Sequence, residues 1–167
     1  NQFDEIYHDH IRIYSLKSLV QLFPYYGMEV FDAKRVPTRE GSIEISAGWK
    51  GKHSISPSVN KLLKVEEKAG LFDPKAWAKF RKRVAKQKKE FLDWAYEVKE
   101  LGLSLVADSC PTRGVVLLNY YGLKDLPYVS QLPGTEKVWK YIPGTHTPIV
   151  INEIILKEEP EYILILA

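Results

Sequence analysis

Leu103-Ser104-Leu105-Val106-Ala107-Asp108-Ser109-Cys110-Pro111-Thr112-Arg113-Gly114-Val115-Val116-Leu117-Leu118 decides how this chain is read. The apolar run from Leu103 to Ala107 breaks at a small polar turn and passes into a helix through Leu117-Leu118, so it reads as strand, turn, helix. The texture then repeats, with a short strand at Tyr128-Val129, a helix near Asn152 to Glu159, and a last strand from Tyr162 to Leu166. Strands alternating with helices imply an α/β fold with a small parallel sheet. Ligands on such sheets sit beyond the carboxyl ends of the strands, which points at the loops after Ala107, Val129 and Ile149.

Upstream the pattern differs. Ser15 is an N-cap for a helix whose apolar face is Leu16, Leu19, Val20, Leu22 and Phe23, and Pro24 with Gly27 ends it. Glu29 to Val36 and Ser42 to Trp49 are strand-like, and the five residues Pro37-Thr38-Arg39-Glu40-Gly41 between them suit a hairpin. A lone hairpin is marginal in water, so these strands are expected at the edge of a larger sheet that this chain lacks. Ser56-Pro57 and Asp73-Pro74 each place a cap before a first-turn proline, so two helices start there. The second is long, running to about Leu101. Its apolar stripe is Trp77, Val84, Phe91 and Val98 at sevens, with Phe80, Trp94 and Leu101 alongside and Gln87 as the one interruption.

At 167 residues, 45% of them hydrophobic and 12% aromatic, the chain can bury one core, or one core and a small appended subdomain. Its single cysteine, Cys110, excludes an internal disulfide and a cysteine-rich zinc site and suits a reducing, cytoplasmic setting. No apolar run reaches the roughly 20 residues of a membrane span, and the first residues lack the charged-then-apolar order of a signal peptide, so no membrane partner is expected. A net charge of +3 does not call for a polyanion. Seven of the twelve residues from Lys79 to Glu90 are basic, and they read as the solvated face of the long helix. Nucleic acid is not expected there, because the aromatic residues lie on the opposite, buried seam. The chain opens at Asn1-Gln2-Phe3 without methionine and stops inside the run Tyr162 to Ala167, which suggests a piece of a longer protein.

Three stretches can carry chemistry. Tyr7-His8-Asp9-His10 packs a phenol, two imidazoles and a carboxylate into four residues, a set suited to acid/base work near neutral pH. A metal held by His8 and His10 is the rival, but neither His53 nor His146 has a spacing that recommends it as a further ligand. Ser109 to Gly114 is a loop entering a helix, where backbone N–H groups, the helix dipole and the Arg113 fork suit a diphosphate. Cys110 in this loop reads as a small inert residue, no paired base being evident. Lys137-Val138-Trp139-Lys140-Tyr141-Ile142-Pro143-Gly144-Thr145-His146 offers two lysines, two aromatic rings and a Pro-Gly turn, able to hold a charged ligand against a ring.

In this order the stretches resemble the S-adenosylmethionine-dependent C-methyltransferases that methylate a deoxysugar carried on a nucleoside diphosphate. The resemblance runs through Ile6-Tyr7-His8-Asp9-His10 with Tyr14-Ser15-Leu16, the Gly41-Ser42 hairpin, Arg113-Gly114 into Leu117-Leu118-Asn119-Tyr120, Tyr141 to His146 with Pro148-Ile149, and Tyr162 to Leu166. It implies that residues 1–56 end the cofactor-binding domain and that residues 57–167 are a Rossmann-like domain gripping the nucleotide sugar. A zinc module and the rest of the cofactor domain would lie upstream and hold S-adenosylmethionine. It also implies Tyr7, Asp9 and His10 as acid/base residues, with Ser109, Arg113, Gly114, Asn119, Lys137, Lys140, Tyr141, Gly144, Thr145 and His146 facing the nucleoside-diphosphate sugar. No metal site is implied in this chain. The sequence departs from the family at Asp9 for glutamate, Ser109-Cys110 for Gly-Ala, Arg113 for lysine and Val115-Val116 for Asn-Thr. At the hairpin, Arg39-Glu40 stands for His-Gly and Glu44 for arginine. The alternative is a non-catalytic sugar-nucleotide-binding or assembly module on the same fold.

Overall fold

In a computed structural model, residues 3–38 and 41–166 are described. The Arg39-Glu40 departure falls outside them. Two compact units form, one from residues 12–81 and the other from residues up to 11 together with those from 82 onward.

In the first unit a helix α1, Leu16–Leu22, passes into a turn of 3-10 helix, Phe23–Tyr26, that Gly27 closes in the left-handed region, at φ 69°. Ser15 caps α1 as expected: its hydroxyl accepts from Ser18 N–H at 3.1 Å, and the Ser18 hydroxyl accepts from Ser15 N–H at 3.0 Å. Such a reciprocal cap is worth about 1 kcal/mol. Strands β1, Met28–Val36, and β2, Ser42–Trp49, form an antiparallel hairpin with one bulge between Val30 and Asp32. Helix α2, Pro57–Lys68, starts at the Ser56 cap. The pair of strands is not left bare, because Leu16, Val30, Ala33 and Val59 make a core joining the hairpin to α1 and α2. Polar ties reinforce it. The Glu66 carboxylate accepts from Leu16 and Lys17 N–H, at 2.6 and 3.0 Å, and sits at the positive end of α1. Ser58 Oγ donates to Asp32 at 2.6 Å, and this bond, with that of Ser56, holds the Asp32 carboxyl below its ordinary value.

Helix α3, Pro74–Glu100, runs on into the second unit. Its stripe is buried at Val84 and Val98, with Ala95 beside it, and Phe80, Phe91 and Trp94 are partly covered; Trp77 and Leu101 at the two ends stay exposed. The basic face is solvated, with Lys86–Glu90 and Lys89–Asp93 paired one helical turn apart.

Strands β3, Leu105–Asp108, β4, Val129–Gln131, β5, Ile149–Ile151, and β6, Tyr162–Ile165, make a parallel sheet in the order β5-β4-β3-β6. Helix α4, Thr112–Tyr121, links β3 to β4, and α5, Glu153–Glu158, lies between β5 and β6. The chain therefore steps outward from β3 to β4 and β5, then returns to the other side of β3. That reversal is a topological switch point, and it lies between β3 and β6. The fold is the α/β class read from the sequence, with β5 as a strand that only Ile149 had signalled.

Candidate active site

At the carboxyl end of β3 the chain makes a tight turn through Ser109, which sits at φ 67°, a region L-residues avoid. Pro111 is the N-cap of α4 and brings no side-chain hydrogen bond to its first turn. Gly114 is buried in that turn. A Cβ there would stand 3.0 Å from Leu166 Cβ, so this glycine lets α4 close on the end of β6. Lys137 reaches the same edge, its ammonium donating to Cys110 carbonyl oxygen at 2.7 Å. Ser130 Oγ donates to Asp108 and ties the tips of β4 and β3. Burial pushes the Cys110 thiol up, only partly offset by Lys137, which disfavours the thiolate and supports the inert reading.

Arg113 carries the acid/base stretch. Its Nη1 stands 3.0 Å from Glu5 Oε1 and its Nε 3.4 Å from Asp4 Oδ2. Beyond Glu5 the chain turns, with His10 N–H donating to Tyr7 carbonyl oxygen at 2.9 Å. The turn brings the two rings together: centroids lie 4.1 Å apart and Tyr7 Oη is 3.0 Å from His10 Nε2. His10 Nδ1 stands 2.9 Å from the Glu5 carbonyl oxygen and 3.2 Å from Glu5 Oε2. A carbonyl can only accept, so Nδ1 carries a proton; in the neutral ring this leaves Nε2 to accept from the Tyr7 hydroxyl. Asp9 is elsewhere. It faces His8 at 3.2 Å, both side chains largely exposed, so the carboxylate beside the Tyr7–His10 pair is Glu5. Sequence reasoning missed Glu5. Its one signal was the acidic pair Asp4-Glu5 ahead of the imidazoles, and the arginine that holds it lies 108 residues away.

The third stretch does not form a single loop at this edge. From Trp139 the chain folds back on itself: Trp139 N–H donates to Ile149 carbonyl oxygen, Tyr141 bridges to Pro148, and Ile142 N–H donates to Thr147 carbonyl oxygen. Because residues 147–151 run up into β5, the tip at 143–146 points toward the amino end of the sheet. Asn119 agrees with that placement. It lies about 10 Å along α4 from Thr112 at 1.5 Å per residue, and its Nδ2 donates to Pro143 carbonyl oxygen at 2.9 Å. Gly144 has φ 90°, and a Cβ there would fall 1.8 Å from Asn119 Oδ1. Thr145 and Thr147 are buried and share a hydrogen bond of 2.9 Å. Lys140, Tyr141 and His146 are exposed. Of the residues expected to face the nucleotide sugar, the structure thus gathers Ser109, Arg113, Gly114 and Lys137 at one edge, and Asn119, Gly144 and Thr145 at a separate turn.

Among the described residues no group of three or more His, Cys, Asp or Glu side chains could hold a metal ion, and no helix is long and apolar enough to cross a membrane. Glu44, where the resemblance implies arginine, meets Lys34 across the hairpin at 2.8 Å.

A parallel sheet with a switch point, an uncapped helix start beside it and a hydrogen-bonded Tyr7–His10 pair tied to that helix make up an α/β domain. The chain belongs to the family of C-methyltransferase C-terminal domains, which it matches over residues 37–167. It is 29% identical to the C-methyltransferase NovU of Streptomyces niveus over 170 residues, covering 100% of this chain and 40% of that relative. The chain therefore spans less than half the length of the curated relative it matches.

Proposed function

We propose that this chain is the nucleotide-sugar-binding and acid/base part of an S-adenosylmethionine-dependent C-methyltransferase acting on a nucleoside-diphosphate keto-deoxysugar. The observation that carries the reading is the hydrogen-bonded Tyr7–His10 pair, tied through Glu5 to Arg113 in the first turn of α4. That arrangement sets proton-transfer groups next to a helix start suited to phosphate. The diphosphate is taken by the N–H groups of that turn and by Lys137. A proton leaves the carbon beside the sugar ketone, and the Tyr7–His10 pair receives and holds it while negative charge sits on the enolate.

The same edge does not suit S-adenosylmethionine. A ribose on such a sheet is usually held by a carboxylate beyond the first helix, but β4 ends at Ser130-Gln131, and Asp108 already accepts from Ser130. The cofactor, whose part is to supply the methyl group, is accordingly assigned to a cytoplasmic parent's upstream domain, beside its zinc module. The non-catalytic alternative leans on the charge reversal at Glu44, and Lys34 already answers that charge.

Calorimetry with dTDP and UDP on this chain tests the grip. Lys137→Ala should lower affinity about tenfold to a hundredfold, the loss of one charge-assisted bond. An unchanged affinity would place the phosphates elsewhere.

A further inference from the structure

We infer that Glu5 is a positioning residue for the acid/base pair, and that Arg113 acts on the reaction through it. The inference rests on the reading above for the chemistry that the pair performs, but its geometry stands by itself. Glu5 meets His10 Nδ1 twice, through its main-chain oxygen at 2.9 Å and its carboxylate Oε2 at 3.2 Å. Both are acceptors, so together they fix the proton on Nδ1 and turn Nε2 toward the Tyr7 hydroxyl, 3.0 Å away. The other carboxylate oxygen, Oε1, is held by Arg113 Nη1 at 3.0 Å. A continuous chain thus runs from Arg113 through Glu5 and His10 to Tyr7. The side chains of His10, Glu5 and Arg113 are only 21, 19 and 33% exposed, so water competes little for these contacts. Asp4 beside Arg113 Nε steadies the guanidinium from a second side.

An acceptor on the far nitrogen of a histidine sets which tautomer the ring presents, and in acid/base sites that choice governs turnover more than binding. Arg113 enters the site here as an anchor of the carboxylate. Its loss should therefore mimic the loss of Glu5.

The test has two arms. In the first, nitrogen-15 NMR of this chain reads the His10 tautomer and the Tyr7–His10 ring contact. The wild type should show the Nδ1–H tautomer and the contact; Glu5→Ala keeps the main-chain acceptor and so the tautomer, but should lose the Tyr7–His10 ring contact, while Glu5→Gln, which keeps a side-chain acceptor, should retain it. Arg113→Ala should lose the contact as Glu5→Ala does, and the double variant should lose no more than either single one. If Glu5→Ala does not fold, Arg113→Ala carries the test. Folded variants that keep the wild-type ring contact would overturn the inference. In the second arm, turnover by the longer methyltransferase should fall about tenfold to a hundredfold in Glu5→Ala with KM unchanged, and recover in Glu5→Gln. An active wild type whose Glu5→Ala variant turns over normally also overturns it. An inactive wild type alongside the expected NMR changes would sink the methyl-transfer reading and support the positioning role.

Discussion

The parallel sheet has two decorated ends, and they differ in kind. At the start of α4 lie Ser109, Lys137 and the Arg113–Glu5–His10–Tyr7 chain, where titratable groups meet an uncapped helix. At the 143–146 tip the distinctive residues are accounted for by packing: Ile142 is fully buried, Asn119 bonds the Pro143 carbonyl, Gly144 has a backbone other residues resist, and Thr145 and Thr147 bond each other. Two stretches that look equally functional in sequence are thus built differently. On the proposed reading, chemistry belongs to one end and structure to the other.

The largest expected effect lies in catalysis. In the longer enzyme, His10→Ala or Tyr7→Phe should cut turnover about 10²- to 10⁴-fold with nucleotide-sugar binding nearly intact, while His8→Ala and His146→Ala should change it little. Steady-state kinetics on the four variants decides this, and an inactive His146→Ala would break the contrast. Next comes stability. Gly144→Ala should destabilise by roughly 2–4 kcal/mol in chemical unfolding, combining an unfavourable φ with a clash against Asn119 Oδ1. Adding Asn119→Ala should relieve the clash but not the backbone cost.

At the other end the strain is set by a side chain that can be removed. Ser109→Gly should stabilise by up to about 1 kcal/mol, raising Tm by about 2–4 °C, because glycine accepts φ 67° freely. The smallest effect is acid sensitivity at the amino end. Ser104 N–H and hydroxyl donate to Glu161 and hold its carboxyl below the ordinary 4.5. A lowered carboxyl contributes stability that is complete above the ordinary value and lost as pH falls through the lowered one. Ser104→Ala should therefore lower stability slightly more at pH 6 than at pH 2, where only the pH-independent bond from Glu161 N–H to the Ser104 hydroxyl is lost, as thermal unfolding at the two pH values would read.

Much of this was legible in local sequence. Ser15, Ser56-Pro57 and Asp73-Pro74 announce helix starts by capping chemistry that acts within four residues, and β2 falls at Ser42–Trp49 as its flanking turn requires. Tyr7 and His10 lie on opposite faces of an extended strand and meet only across a turn, which the chain makes at His8-Asp9. What stayed hidden depends on distant partners. Nothing near Glu5 predicts Arg113, and nothing within residues 137–146 tells that the segment folds back along β5. Residue types suggested Asp9 as the carboxylate of the pair because it is adjacent to His10, yet adjacency in the chain placed it beside His8.

Amide chemical-shift mapping of the nitrogen-15-labelled chain titrated with dTDP tests the contrast between the two ends most directly. Shifts concentrated at residues 109–114 and at Lys137, with the 143–146 tip unmoved, are the predicted result. Shifts concentrated at 143–146, with the first turn of α4 silent, would contradict it.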